Sequence, residues 1–246
     1  MTDILVHSLI LSSILLGIHA YFGLEIVKRG IIFTDIAIAQ FSAVGLALSL
    51  LLYNTPSYLL SLLFSVLCSL LIAFSQRKGK YSEAFIGLLY ALGLSSVVLI
   101  LSKSPHGMED FMQLTASDIL FIPKQEIAKI GILYALFGSL VYLNDRFLSG
   151  TLKDMVFFAL FSLTVTSSVK LVGVFVVFSI LVSPALIANL FDKGLFFAWI
   201  YGALVNTIGV YLSFKLDLPT GFSLVFLHSI IGSFIFLWKN KYNERA

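Results

Sequence analysis

Few residues in this 246-residue chain could do chemistry, since only 12% are charged and cysteine occurs once. Those few stand in unusual company. His19 and Glu25 lie in the apolar run GIHAYFGLEIV; Asp35 opens another, followed by Gln40 and the small residues Ala37, Ala39, Ser42, Ala43 and Gly45. Glu25 has Lys28 at i+3, the spacing of a simple helical ion pair. Asp35 has Ala39 at i+4, so no basic residue answers it on its own helix. An unpaired carboxylate at membrane depth points either to a cation path or to an interfacial cap, with Thr34 or Asp35 closing the helix start. His19 reads either as a nitrogen ligand or as a hydrogen-bonded packing residue. For His7 and His228, packing is the simpler reading. Farther on, His106, Glu109 and Asp110 fall at i, i+3 and i+4, one face of a helix. Nitrogen with carboxylate oxygens suits zinc or manganese, although a charged surface helix would look the same.

No catalytic constellation accompanies these groups. The chain has no HExxH, no GxSxG and no P-loop. Its one cysteine, Cys68, sits in an apolar run, so neither a disulfide framework nor a thiolate cluster is available. The reading is therefore not an enzyme, with no covalently bound cofactor and no nucleic-acid partner.

The elements that must position these residues follow from composition. Hydrophobic residues make up 59%, and mean hydropathy is +1.01. A core of this size cannot bury that much apolar surface, so the solvent must be a lipid bilayer. Apolar stretches fall at about 4–26, 33–53, 57–75, 84–102, 127–143, 154–169, 171–191, 195–214 and 219–238. Each approaches the roughly 20 residues a spanning helix needs. The stretch 154–191 is too long for one crossing, and its polar middle TVTSSVKLVG predicts two helices meeting near Ser167–Gly173. The fold class is thus all-α, a polytopic membrane protein of about nine transmembrane helices (eight to nine), forming one transmembrane domain over 1–246. The opening MTDILVHSL reads as the start of a span rather than a signal peptide. With the N-terminus outside, Lys28, Arg29, Arg77, Lys78, Lys80, Arg146, Lys153, Lys193, Lys239, Lys241 and Arg245 lie inside, eleven of the 16 basic residues. That is the positive-inside bias. The longest polar stretch, 102–126, is outer, and Ser104-Pro105 predicts a short helix from Pro105 to about Leu114. Nine spans leave no room for a nucleotide-binding domain, so any ATP must be handled by a partner chain.

Three blocks carry a family resemblance. The first runs from Gly17-Ile-His-Ala-Tyr-Phe-Gly23 through Lys28-Arg29 and Asp35 to Gln40 and Gly45. The second is Glu83-Ala-Phe-Ile-Gly-Leu-Leu-Tyr90, continuing to Ser102-Lys-Ser-Pro-His106. The third is Ser167-Ser-Val-Lys-Leu-Val-Gly173, leading to Leu181-Val-Ser-Pro184-Ala185. In order and separation they resemble the permease subunits of bacterial zinc, manganese and iron ABC importers, over most of the chain. The resemblance implies a multi-pass inner-membrane subunit that pairs with a second permease copy. A separate ABC ATPase would dock inside, and an extracytoplasmic metal-binding protein would deliver a divalent ion, zinc or manganese, outside. It further implies alternating access, metal ligation by Asp35 with His19 and Gln40, and an outer metal-entry or binding-protein contact at His106, Glu109 and Asp110. The inner loop with Asp145, Arg146, Lys153 and Asp154 would couple to the ATPase.

Two departures stand out. Many members carry a His four residues after the Asp, where this chain has Ala39. Gln40 is five residues along, roughly 140° around the helix from Asp35, and cannot simply replace it; His19 could supply the nitrogen from another span. The segment from Asn144 to Asp154 is also short for a coupling loop. That shortness favours the alternative reading, a non-transporting structural or assembly subunit of a membrane complex.

Overall fold

The computed structural model describes residues 2–76, 81–104, 106–109, 111, 119 and 122–243. Nine long helices make up most of them: α1 (Thr2–Arg29), α2 (Thr34–Tyr53), α3 (Tyr58–Gln76), α4 (Ser82–Leu101), α5 (Lys124–Phe147), α6 (Gly150–Val172), α7 (Val174–Leu190), α8 (Leu195–Leu216) and α9 (Thr220–Asn243). Eight are long and apolar enough to cross a membrane, and the ninth, α7, is an apolar helix of 17 residues. Seventeen is the lower end of the spanning range. The chain is an all-α multi-pass membrane protein.

Local chemistry explains the boundaries. Asp3 stands in the first turn of α1 and Lys28 and Arg29 in its last, each matching the sign of the helix dipole there. Gly30 then takes a φ of 67° and stops the helix, a left-handed conformation that costs glycine least. Asn54 does the same for α2, at a φ of 52°, with its amide donating to the Leu50 carbonyl at 3.0 Å. The long stretch 154–191 is two helices, as its polar middle predicts. The break falls at Gly173, with φ 83° and ψ 161°. The hydroxyls before it do not end α6: Thr164 donates to the Leu160 carbonyl at 2.8 Å and Ser167 to the Leu163 carbonyl at 2.9 Å. Such back-bonding lets a hydroxyl sit inside an apolar helix without a partner from another element.

Two compact units divide the chain. The first comprises residues 1–30, 118–134 and 171–246; the second comprises 31–117 and 135–170. In the first, α1 packs on α7 and α8, and α9 packs on the same two helices. Small residues permit this. A Cβ added at Gly23 would strike the Leu181 carbonyl, and one at Gly202 would strike Leu16. In the second unit, α2 packs against both α3 and α4. Gly45 lies against the Leu60 backbone, and Gly93 against Gln40 and Phe41. Close helix approach at small residues is how membrane helices gain contact when water supplies no driving force between them. The small-residue series behind Asp35 is therefore largely packing, with Ala37, Ala39, Ser42 and Gly45 all buried.

Orientation of α3 shows which solvent the fold expects. Ser61, Ser65, Cys68, Ser69 and Ile72 are buried, while Leu59, Leu63, Leu67 and Leu71 are exposed at a spacing of four. A soluble helix would turn the leucine row inward. On α9, Phe222, Phe226, Ile230 and Phe234 form a second exposed row.

Candidate metal-binding residues

Asp35 stands in the first turn of α2 and is 1% exposed. It is not the helix cap: Phe33 occupies that position with no side-chain cap bond, and the Thr34 hydroxyl turns back to the Ile31 carbonyl at 2.6 Å. The backbone amides of Asp35 and Ile36 face its carboxylate, as expected of an anion at a helix N-terminus. Its Oδ1 has no hydrogen-bond partner among the described residues. A buried carboxylate oxygen left open in this way can accept from a passing ion or water at little rearrangement.

His19, in the middle of α1, is fully buried. Its Nδ1 lies 2.8 Å from the Leu15 carbonyl. A carbonyl only accepts, so in the neutral ring Nδ1 carries the proton and Nε2 keeps its lone pair. Nε2 has no partner among the described residues. The Tyr134 ring stands edge-on at 6.2 Å. A backbone carbonyl holding one ring nitrogen while the other is left open is the usual support of a ligating histidine. His19 belongs to the first unit; Asp35 and Gln40 belong to the second. Gln40 is half-buried, with its Cβ against Gly93 of α4.

Among the described residues no three or more His, Cys, Asp or Glu side chains gather as a metal cluster. His106 and Glu109 are strongly exposed, with Nδ1 and Oε2 3.9 Å apart. Asp110 and half of the helix expected from 105 to 114 lie outside the described residues, as do Arg77, Lys78 and Lys80; 107–109 and 111 are helical. Glu25 pairs with Lys28 at 3.4 Å, the simple ion pair its spacing indicates.

Only residues 148 and 149 separate α5 from α6. Lys153 meets Asp145 at 3.0 Å, and the Asn144 amide donates to the Lys153 carbonyl at 3.2 Å. Arg146 is exposed and donates to the Tyr142 hydroxyl at 3.1 Å. Asp154 is half-buried.

One buried network escaped sequence reasoning. Asn206 on α8 donates to the Ser12 carbonyl of α1 at 3.3 Å, so its oxygen accepts from Nε2 of His228 on α9, at 2.9 Å. Ser183 of α7 donates to the His228 carbonyl at 3.0 Å. His228 thus ties helices together, consistent with a packing role. No spacing in the sequence links positions 12, 183, 206 and 228; the only signal was a lone Asn in an apolar helix.

A family model described as the ABC 3 transport family matches residues 1–154 and 147–239. The chain is 25% identical over 260 residues to a probable iron transport system membrane protein of Haemophilus influenzae, covering 98% of this chain and 92% of the relative. It is 23% identical over 257 residues to the manganese transport system membrane protein MntC of Listeria innocua, covering 94% and 90%. Among solved structures, the fold is similar to a chain of PsaBC from Streptococcus pneumoniae in complex with Fab, with a TM-score of 0.65 at 18% identity, covering 94% of this chain and 90% of that one.

Proposed function

Because the chain belongs to the ABC 3 transport family, we propose that it is the membrane-spanning permease of an ATP-driven importer of a divalent transition metal. Zinc or manganese is the proposed cargo, with iron a further member of the same class. The whole of 1–246 acts as one permease domain, pairs with a second copy, and moves the ion by alternating access driven by a separate ATPase. An extracytoplasmic metal-binding protein delivers the ion near His106, Glu109 and Asp110. The loop with Asp145, Arg146, Lys153 and Asp154 receives the ATPase.

The observation that carries this reading is the buried Asp35 carboxylate with one open oxygen, in a membrane-spanning helix. Burying an ionisable group in a membrane-spanning segment is costly. The helix N-terminus offsets part of that cost, and the oxygen left open is what a cation path would use. His19 adds an open ring nitrogen, and nitrogen with oxygen suits zinc or manganese better than magnesium, which keeps an all-oxygen shell. Gln40 is the third proposed contact, from a different face of α2.

The short α5–α6 connection favours a second reading, a structural or assembly subunit that carries no ion. Vesicles holding this chain with its candidate ATPase separate the two. Metal uptake that needs ATP supports the permease; no uptake beyond protein-free vesicles supports the subunit.

A further inference from the structure

The helix that carries Asp35 has no side-chain cap from its N-cap residue, although the amides of Asp35 and Ile36 face the Asp35 carboxylate. Phe33 occupies the N-cap position, where Ser, Thr, Asp or Asn would normally satisfy the first free amides, and it makes no side-chain cap bond. The backbone N–H of Phe33 is met from elsewhere: Oε1 of Glu83 accepts it at 3.4 Å, across 50 residues of sequence. Glu83 itself stands in the first turn of α4. Its carboxylate therefore lies at the positive ends of two neighbouring helices, each of which favours an anion. A second contact joins the same pair. Gly93 has no side chain where Gln40 and Phe41 press against α4; an added Cβ there would lie 2.8 Å from the Gln40 Cβ. The interval from 83 to 93 on α4 and that from 33 to 40 on α2 run in the same direction. They correspond to about 15 Å and about 10 Å of helix. Asp35 lies between these two points.

We infer that Glu83 is a positioning residue for Asp35: it caps α2 from α4 and, with the Gly93–Gln40 contact, holds the first turn of α2 in place. The consequence for ion transfer rests on the permease reading; the capping does not. The first amide bonded within α2 is Ala37 to the Phe33 carbonyl, at 3.1 Å, so loss of the cap frays the helix there first. Fraying turns the Asp35 carboxylate away from the direction its backbone gives it.

The full chain in lipid nanodiscs tests this by amide hydrogen exchange. Glu83→Ala should speed exchange at residues 37–39 by about fivefold, the usual effect of losing a helix cap. Glu83→Gln, which keeps an acceptor without the charge, should fall between. Phe33 is 51% exposed, so Phe33→Ser can be made without emptying a core, and it supplies a local cap. The double variant Phe33→Ser/Glu83→Ala should return exchange to the starting rate, which a general packing defect at position 83 would not allow. With manganese and zinc as probes in ATPase-containing vesicles, Glu83→Ala should raise the apparent KM about fivefold with little change in maximal rate, and the double variant should restore it. Unchanged exchange in Glu83→Ala, failed restoration in the double variant, or faster exchange with an unaltered KM would each overturn the inference. Absence of uptake by the unsubstituted chain would end the transport reading instead, and exchange would still decide the capping.

Discussion

Asp35 and His19 are legible as types but not as environments. Their positions in apolar runs mark them as costly groups. Only the tertiary structure shows that one carboxylate oxygen and one ring nitrogen are left without a partner among the described residues, while the other nitrogen of His19 is held by the Leu15 carbonyl. Asp35→Asn should therefore lower ATP-dependent metal uptake by about tenfold or more and leave the protein folded, since a neutral amide is easier to bury than a carboxylate. Uptake by vesicles and the thermal midpoint of the purified protein, measured side by side, check this; normal uptake would remove Asp35 from the path. His19→Gln should impair uptake as well. If it transports normally, the imidazole serves α1 packing through Leu15 and Tyr134.

At the scale of elements, the breaks and close approaches matter most. Gly173 separates α6 from α7 with a backbone conformation available essentially only to glycine. Gly173→Ala should cost about 1–3 kcal/mol, seen as a lower thermal midpoint in detergent with unchanged helix content. An unchanged midpoint would mean the junction relaxes freely. The α5–α6 connection makes a different prediction. Lys153 is held by Asp145, whereas Arg146 presents its charge at the surface beside Tyr142. Replacing Arg146 and Lys153 with Glu should lower metal-stimulated ATP hydrolysis by the partner without reducing membrane insertion, and the Arg146 change should dominate. Equal hydrolysis in the variant would move the contact elsewhere, the basic turn from Arg77 to Lys80 being next.

For the whole molecule, the expectation of nine spans with the N-terminus outside predicts that residues 77–80 lie inside and 102–126 outside. Cys68 is fully buried and is best replaced by Ser before labelling. A cysteine introduced at Gly107 should then react with an impermeant thiol reagent in intact cells, and one at Gly79 should not. The opposite pattern would reverse the proposed orientation, and equal labelling would break the nine-span count.

Hydropathy determined that this chain lives in a bilayer and, with the polar break near Ser167–Gly173, nearly where each long helix of the described residues begins and ends. These are properties of consecutive residues: a span is a run of apolar side chains, and Gly30, Asn54 and Gly173 stop helices through their own backbone preferences. The Glu25–Lys28 pair was legible for the same reason, being three residues apart on one helix. The tertiary structure alone decided which faces meet. It turned the serines of α3 inward and its leucines toward lipid, set Gly45 and Gly93 where backbones touch, and joined Asn206 to Ser12 and His228. It also brought Glu83 of α4 to the Phe33 amide at the start of α2, a contact no local pattern announces. Such contacts link residues tens to nearly two hundred positions apart. In lipid, where apolar surface is free to face outward, hydrophobic periodicity carries no instruction about which partner a helix face will find.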